Sequence, residues 1–161
     1  MLAVVAVTIL ASAAAATPEA SRAGGHLELR LSDWRGFGEG AFFLTMIPAG
    51  EVTRVGDAPL GPKYVAPDAR QQLRRLLIRE RFFELSDEYG DAVIEGRVRR
   101  VTVRLDGRHH SVAVNDLNAA DKPVAEIRRA LRVWYGALAA LSDPGSVQIE
   151  AQDRSFLKSP P

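Results

Sequence analysis

The side chains through which this chain could do chemistry are three histidines, a run of Asn and Asp, a cluster of carboxylates and eighteen arginines. His109 and His110 are adjacent, and an imidazole pair can hold an ion or move protons. On a strand, however, neighbouring residues point to opposite faces, so the two rings cannot share one ligand. Only His26 remains as a third imidazole, and the pair reads as one packed and one solvated histidine. Asn115-Asp116-Leu117-Asn118 with Asp121 offers oxygen ligands within seven residues. It lacks the central Gly and the bidentate Glu of a calcium loop, so it reads as the turn between a strand and a helix. Asp87, Glu88, Asp91 and Glu95 lie in a polar, glycine-punctuated segment. Nothing there buries one carboxyl against another, as acid–base work would require.

Ser32, Ser86 and Ser111 stand outside any G-x-S-x-G motif, which argues against a strained nucleophile turn. Gly36-Phe37-Gly38-Glu39-Gly40 lacks the Lys-Ser/Thr of a phosphate loop and leads into a strand-like run. The arginines are the least ordinary feature. Arg70 with Arg74, Arg75 with Arg79 and Arg128 with Arg132 are like-charge pairs four residues apart. Each costs roughly 0.2–0.5 kcal/mol on a helix, which a partner rich in carboxylate or phosphate would offset. Eighteen arginines against three lysines is also what a GC-rich genome produces.

These side chains must be positioned by a small set of elements. His26 to Ser32 alternates, with Leu27, Leu29 and Leu31 on one face and Glu28 and Arg30 on the other, as a half-buried strand does. Residues 41–47 and 51–55 flank Pro48-Ala49-Gly50 as a hairpin. Pro67 opens a helix with Asp68 in its first turn, and Ala69, Leu73, Leu76 and Leu77 form its apolar stripe. Residues 99–105 and 108–114 flank Asp106-Gly107, a two-residue turn that favours positive φ at both positions. Pairing Leu105 with Arg108 sets Val103 opposite His110 and Val101 opposite Val112. Val101, Val103, Leu105, Val112 and Val114 then share one face, and Thr102, Arg104, His109 and Ser111 the other. Val124, Ile127, Leu131, Trp134, Leu138 and Leu141 recur at helical spacing after Asp121 and Pro123. The fold class expected is α+β: an antiparallel sheet of about five strands in the order strand, hairpin, helix, hairpin, helix, with both helices on one face. On this reading residues 26–142 are one domain and 143–161 a loose tail.

The chain has 161 residues, 25% charged and 47% hydrophobic, with a formal net charge of +1. That balance excludes a wholly disordered chain, a repeat solenoid and a multi-span membrane protein. It also argues against nucleic acid as partner, since no basic excess or stacking motif is present. Residues 1–16 carry no charged side chain, and Leu2 to Leu10 is followed by Ala11-Ser12-Ala13-Ala14-Ala15-Ala16. A short apolar core ending in small residues reads as a signal peptide cleaved after Ala13 or Ala16, with 17–25 as a flexible leader and no stable membrane span thereafter. Cysteine is absent, so there is no disulfide framework and no thiolate metal site; neither a cofactor nor a metal is implied.

Three further stretches come in a familiar order: Leu44-Thr45-Met46-Ile47-Pro48-Ala49-Gly50-Glu51-Val52, then Phe82-Phe83-Glu84-Leu85 with Tyr89-Gly90, then Val101 to Gly107. Over residues 41–114 the chain resembles a group of small exported bacterial domains of unknown function. The resemblance implies an α+β extracytoplasmic domain and carries over no catalytic residue. The cysteine that some such proteins have near the first hairpin is missing here.

The function expected is a non-enzymatic extracytoplasmic binding or protein-interaction domain for an anionic partner, a protein or a cell-envelope component. The partner would meet the open sheet face or the arginine-lined helix face. Trp34 and Phe37, near the glycine loop, and Arg70, Arg74, Arg128 and Arg132 are the candidate binding residues, with Phe42 and Trp134 expected in the core. The competing reading is a small hydrolase using His109 or His110. It demands a histidine within hydrogen-bonding reach of Asp91 or Asp116 in a concave pocket.

Overall fold

The computed structural model describes residues 26–36, 40–91, 96–118, 121–143 and 145–158. Alternation makes β1 (Leu27–Arg35), and the Phe-rich run and its return make β2 (Phe42–Met46) and β3 (Val52–Gly56). A helix, α1 (Pro67–Arg79), and a short 3-10 turn at Phe82–Glu84 lead to β4 (Glu88–Tyr89). The second hairpin is β5 (Arg97–Leu105) and β6 (Arg108–Val114), followed by α2 (Val124–Leu141) and α3 (Ala151–Lys158). The strands form one six-stranded sheet in the order β3-β2-β1-β5-β6-β4. Every pairing is antiparallel except that of β4 with β6.

The β5–β6 register is the one the Asp106-Gly107 turn implies: Leu105 opposite Arg108, Val103 opposite His110, Val101 opposite Val112. Asp106 and Gly107 both take positive φ, 49° and 83°, so the turn twists with its strands. On the inner face Leu29, Leu31, Leu44, Met46, Val101, Val103, Val112 and Val114 are all but fully buried. α2 lies across β1, β5 and β6, and both α1 and α3 pack on α2. Trp134 is 1% exposed and stacks on Phe42 with ring centroids 6.2 Å apart, so both aromatics belong to the core. Burying each such side chain contributes about 1.5–3 kcal/mol, and a domain without disulfides rests on that interior.

The α+β class holds, with three corrections. The sheet has six strands rather than five and is mixed, because Glu88–Tyr89 pairs in parallel with β6. A two-residue strand is too short to show a period, and the carboxylates around it read as loop. Helices number three among the described residues, because 151–158 is helical where a loose tail was expected. Its buried residues are Asp153 and Phe156, and a buried aspartate leaves no apolar stripe to detect. Finally, α2 buries Ala130, Val133, Tyr135, Ala137 and Arg128 beside its expected stripe, since it is flanked by the sheet, α1 and α3. The expected signal peptide, leader and Phe37 lie outside the described residues. No helix among the described residues is long and apolar enough to cross a membrane.

Candidate functional site: the outer face of the sheet

The helices cover one face of the sheet, and the other face of β1, β2, β3 and β5 carries the residues of opposite parity. Val55, Phe43, Ser32 and Arg100 are successive cross-strand partners, and Thr53, Thr45, Arg30, Thr102 and Ser111 form the next row. Trp34 pairs with Val98 beyond the first row, and Glu28, Arg104 and His109 line up beyond the second. Three large apolar side chains on this face stay in water: Trp34 is 41% exposed, Phe43 51% and Val55 58%. Phe43 and Val55 are directly opposed, and Trp34 lies two residues along β1 from Ser32, the partner of Phe43. Exposed apolar side chains gathered in this way and rimmed by charged groups make this face a candidate interaction surface.

The charges on β1 and β5 are unequal. Arg30, Arg100 and Arg104 face outward against one carboxylate, Glu28. Glu28 accepts hydrogen bonds from Arg30 Nε at 3.0 Å and from an Arg30 terminal nitrogen at 2.8 Å, and it lies 3.9 Å from Arg104. Arg100 is exposed and has no side-chain partner among the described residues. Glu28, Arg30, Thr102, Arg104 and His109 line a hollow of about 100 Å³, with Thr102 Oγ1 and Ser111 Oγ 2.9 Å apart beside it. The face therefore joins an apolar corner to a surplus of guanidinium groups, which suits a ligand that is apolar at one end and anionic at the other.

Of the residues singled out from the sequence, Trp34 lies exposed on the outer face near the end of β1. The arginine-lined helix face does not form. Arg70 donates to the Pro48 carbonyl at 2.6 Å and to Tyr64 Oη at 3.3 Å, tying α1 to the β2–β3 turn. Arg74 pairs with Asp106 in the β5–β6 turn. Arg128 is 8% exposed and donates through Nε to the Phe156 carbonyl at 2.8 Å. Arg132 lies 3.7 Å from Glu80. Each joins two elements of the same chain, so the Arg70–Arg74 and Arg128–Arg132 pairs are offset from within, whereas Arg75 and Arg79 stay exposed on α1 with Arg79 paired to the adjacent Glu80.

Phe43, Val55 and Arg100 were not singled out by the sequence argument. The signal was present: once Phe42 is assigned inward, alternation turns Phe43 outward. The histidines occupy opposite faces as expected. His110 Nε2 is 2.9 Å from the Leu85 carbonyl, its ring packs edge-on against Phe82, and its nearest carboxylate is Asp87 at 3.7 Å. Asp91 and Asp116 instead bridge one another through their backbones. Among the described residues no three His, Asp or Glu side chains converge as a metal site. No protein-family model matches the sequence, and comparison with curated proteins finds no similar relative.

Proposed function

We propose that this chain is an exported, non-enzymatic binding domain whose working surface is the outer face of its sheet. Its partner is a protein segment that sets apolar side chains beside carboxylates. The observation carrying this reading is the exposed Trp34, Phe43 and Val55 next to Arg100. Apolar contact supplies affinity, and the surplus guanidinium charge selects an acidic neighbour and speeds encounter. The charge-free apolar run at 2–10 and the small residues after it support export. On that reading the mature chain begins at Ala14 or Thr17, which the mass of the recovered protein checks. The resemblance over residues 41–114 points the same way.

The test places a photo-reactive phenylalanine at position 43 of the full chain in its native host, with the same group at Ile78 as control. Ile78 is 63% exposed on α1. A protein adduct is expected at 43 and not at 78, joined to a segment bearing Asp or Glu and reduced severalfold by Arg100→Glu. Equal adducts at both positions, none at 43, or indifference to Arg100→Glu would overturn the proposal.

A further inference from the structure

α3 is held by a set of largely buried polar contacts together with one aromatic. Arg97 on β5 donates to Glu150 at 2.7 Å, just before the helix begins. Arg99 pairs with Asp153, which also accepts from the Tyr135 hydroxyl of α2. Arg128 of α2 donates to the Phe156 carbonyl, and the Phe156 ring is buried against the core. The chain's grip thus consists of an acid, a second acid three residues on, and an aromatic three residues beyond that. The receiving slot contains a phenol and three guanidinium groups, of which Arg97 is also paired with the buried Asp33 of β1.

The seam is not a dry, close-packed one. Arg99 Nε and Asp153 Oδ1 are buried without hydrogen-bond partners, in side chains 2% and 0% exposed. A polar hollow of about 260 Å³ opens beside them, lined by Arg35, Arg97, Arg99, Asp116, Glu150 and Gln152. A buried ion pair contributes little net stability relative to its desolvation cost. An equivalent carboxylate from elsewhere satisfies Arg99 equally well. The polar grip, the unsatisfied atoms and the adjoining hollow describe a replaceable occupant rather than a welded one.

We infer that the slot between β5 and α2 is a recognition site for a helical segment of a partner protein with the pattern acid-x-x-acid-x-x-aromatic, and that α3 is its built-in competitor. This site is separate from the outer face, which carries none of these residues. A partner segment reaches it only when α3 lifts, so its apparent dissociation constant is the intrinsic one divided by the fraction of chains that are open.

The probe is a fluorescein-labelled peptide of residues 146–158, titrated with the full chain and followed by anisotropy. Saturable binding is expected, at least tenfold weaker when the peptide carries Glu150→Gln with Asp153→Asn. The full chain bearing Asp153→Asn, whose own α3 is loosened, should bind the unaltered peptide at least tenfold tighter than the unsubstituted chain does. If that variant fails to fold, Glu150→Gln in the full chain gives the same sign with a smaller change. Absence of binding, binding indifferent to the peptide's acids, equal affinity for the loosened and unsubstituted chains, or dimers formed by exchange of α3 in place of peptide binding would each overturn the inference.

Discussion

Arg99 on β5 and Asp153 on α3, fifty-four residues apart in sequence, form an ion pair with side chains 2% and 0% exposed. Two charges so deeply buried stabilise one another only while both are present. Arg99→Ala or Asp153→Ala alone should therefore destabilise the chain by on the order of 3 kcal/mol, by stranding the remaining charge. Replacing the pair together, as Arg99→Met with Asp153→Leu, should cost within about 1 kcal/mol of nothing. A double-mutant cycle in urea measures the coupling. A pair of single losses that simply add would show that the two groups do not meet.

The four helix arginines should separate by burial. Arg128→Ala removes a buried, charge-assisted hydrogen bond to Phe156 and should cost about 1.5–3 kcal/mol. Arg132→Ala breaks a 3.7 Å contact from a side chain 46% exposed and should cost no more than about 1 kcal/mol. Thermal unfolding of the two variants checks the order. Equal losses would return both residues to a common surface role.

How far the sequence foretold this depends on the period of each element. The Asp106-Gly107 hairpin was readable to the residue because the turn type fixes the register and a one-residue slip would turn every valine to water. The stripe through Trp134 was readable because a helix repeats its inner face every three or four residues. β4 was not, since Glu88 and Tyr89 are held by pairing to Ala113 and Val114 and have no pattern of their own. α3 was not, since Asp153 and Glu150 are matched to Arg99 and Arg97 on a distant strand. Pairing between distant polar residues leaves no local periodicity. The same blindness made Arg128 look like surface, and it hid Phe43 and Arg100 until strand order placed them beside Trp34.

Adjacent phenylalanines should behave oppositely. Phe42 is buried against Trp134, so Phe42→Ala should cost about 3–5 kcal/mol. Phe43 faces water on the outer side, and Phe43→Ser, like Trp34→Ser, should change stability by no more than about 0.5 kcal/mol. Urea unfolding of the three variants decides it. A large loss from Phe43→Ser would mean that the outer face is packed against part of the chain, and the surface proposed for binding would be closed.

The phenol of Tyr135 offers a test by pH. It donates to Asp153 and accepts from the Glu150 backbone N–H at 3.3 Å. Burial first, and the hydrogen bond to Asp153 second, push its pKa from 10.0 up to about 12. The folded chain therefore holds this proton more tightly than the unfolded chain does. The resulting stabilisation is complete below pH 10 and is lost as pH rises through 12. Ionisation there sets a phenolate against the Asp153 carboxylate, so α3 should leave its slot before the sheet melts. Burial and a hydrogen bond to Glu126 also raise the Tyr89 phenol, so absorbance at 295 nm must be compared between the chain and its Tyr135→Phe variant. The difference should rise near pH 12, and Asp153→Asn should move it down towards 10 by removing the second cause. A difference already complete at pH 10 would mean that Tyr135 stands in water, and that the seam beneath α3 is open in the resting fold.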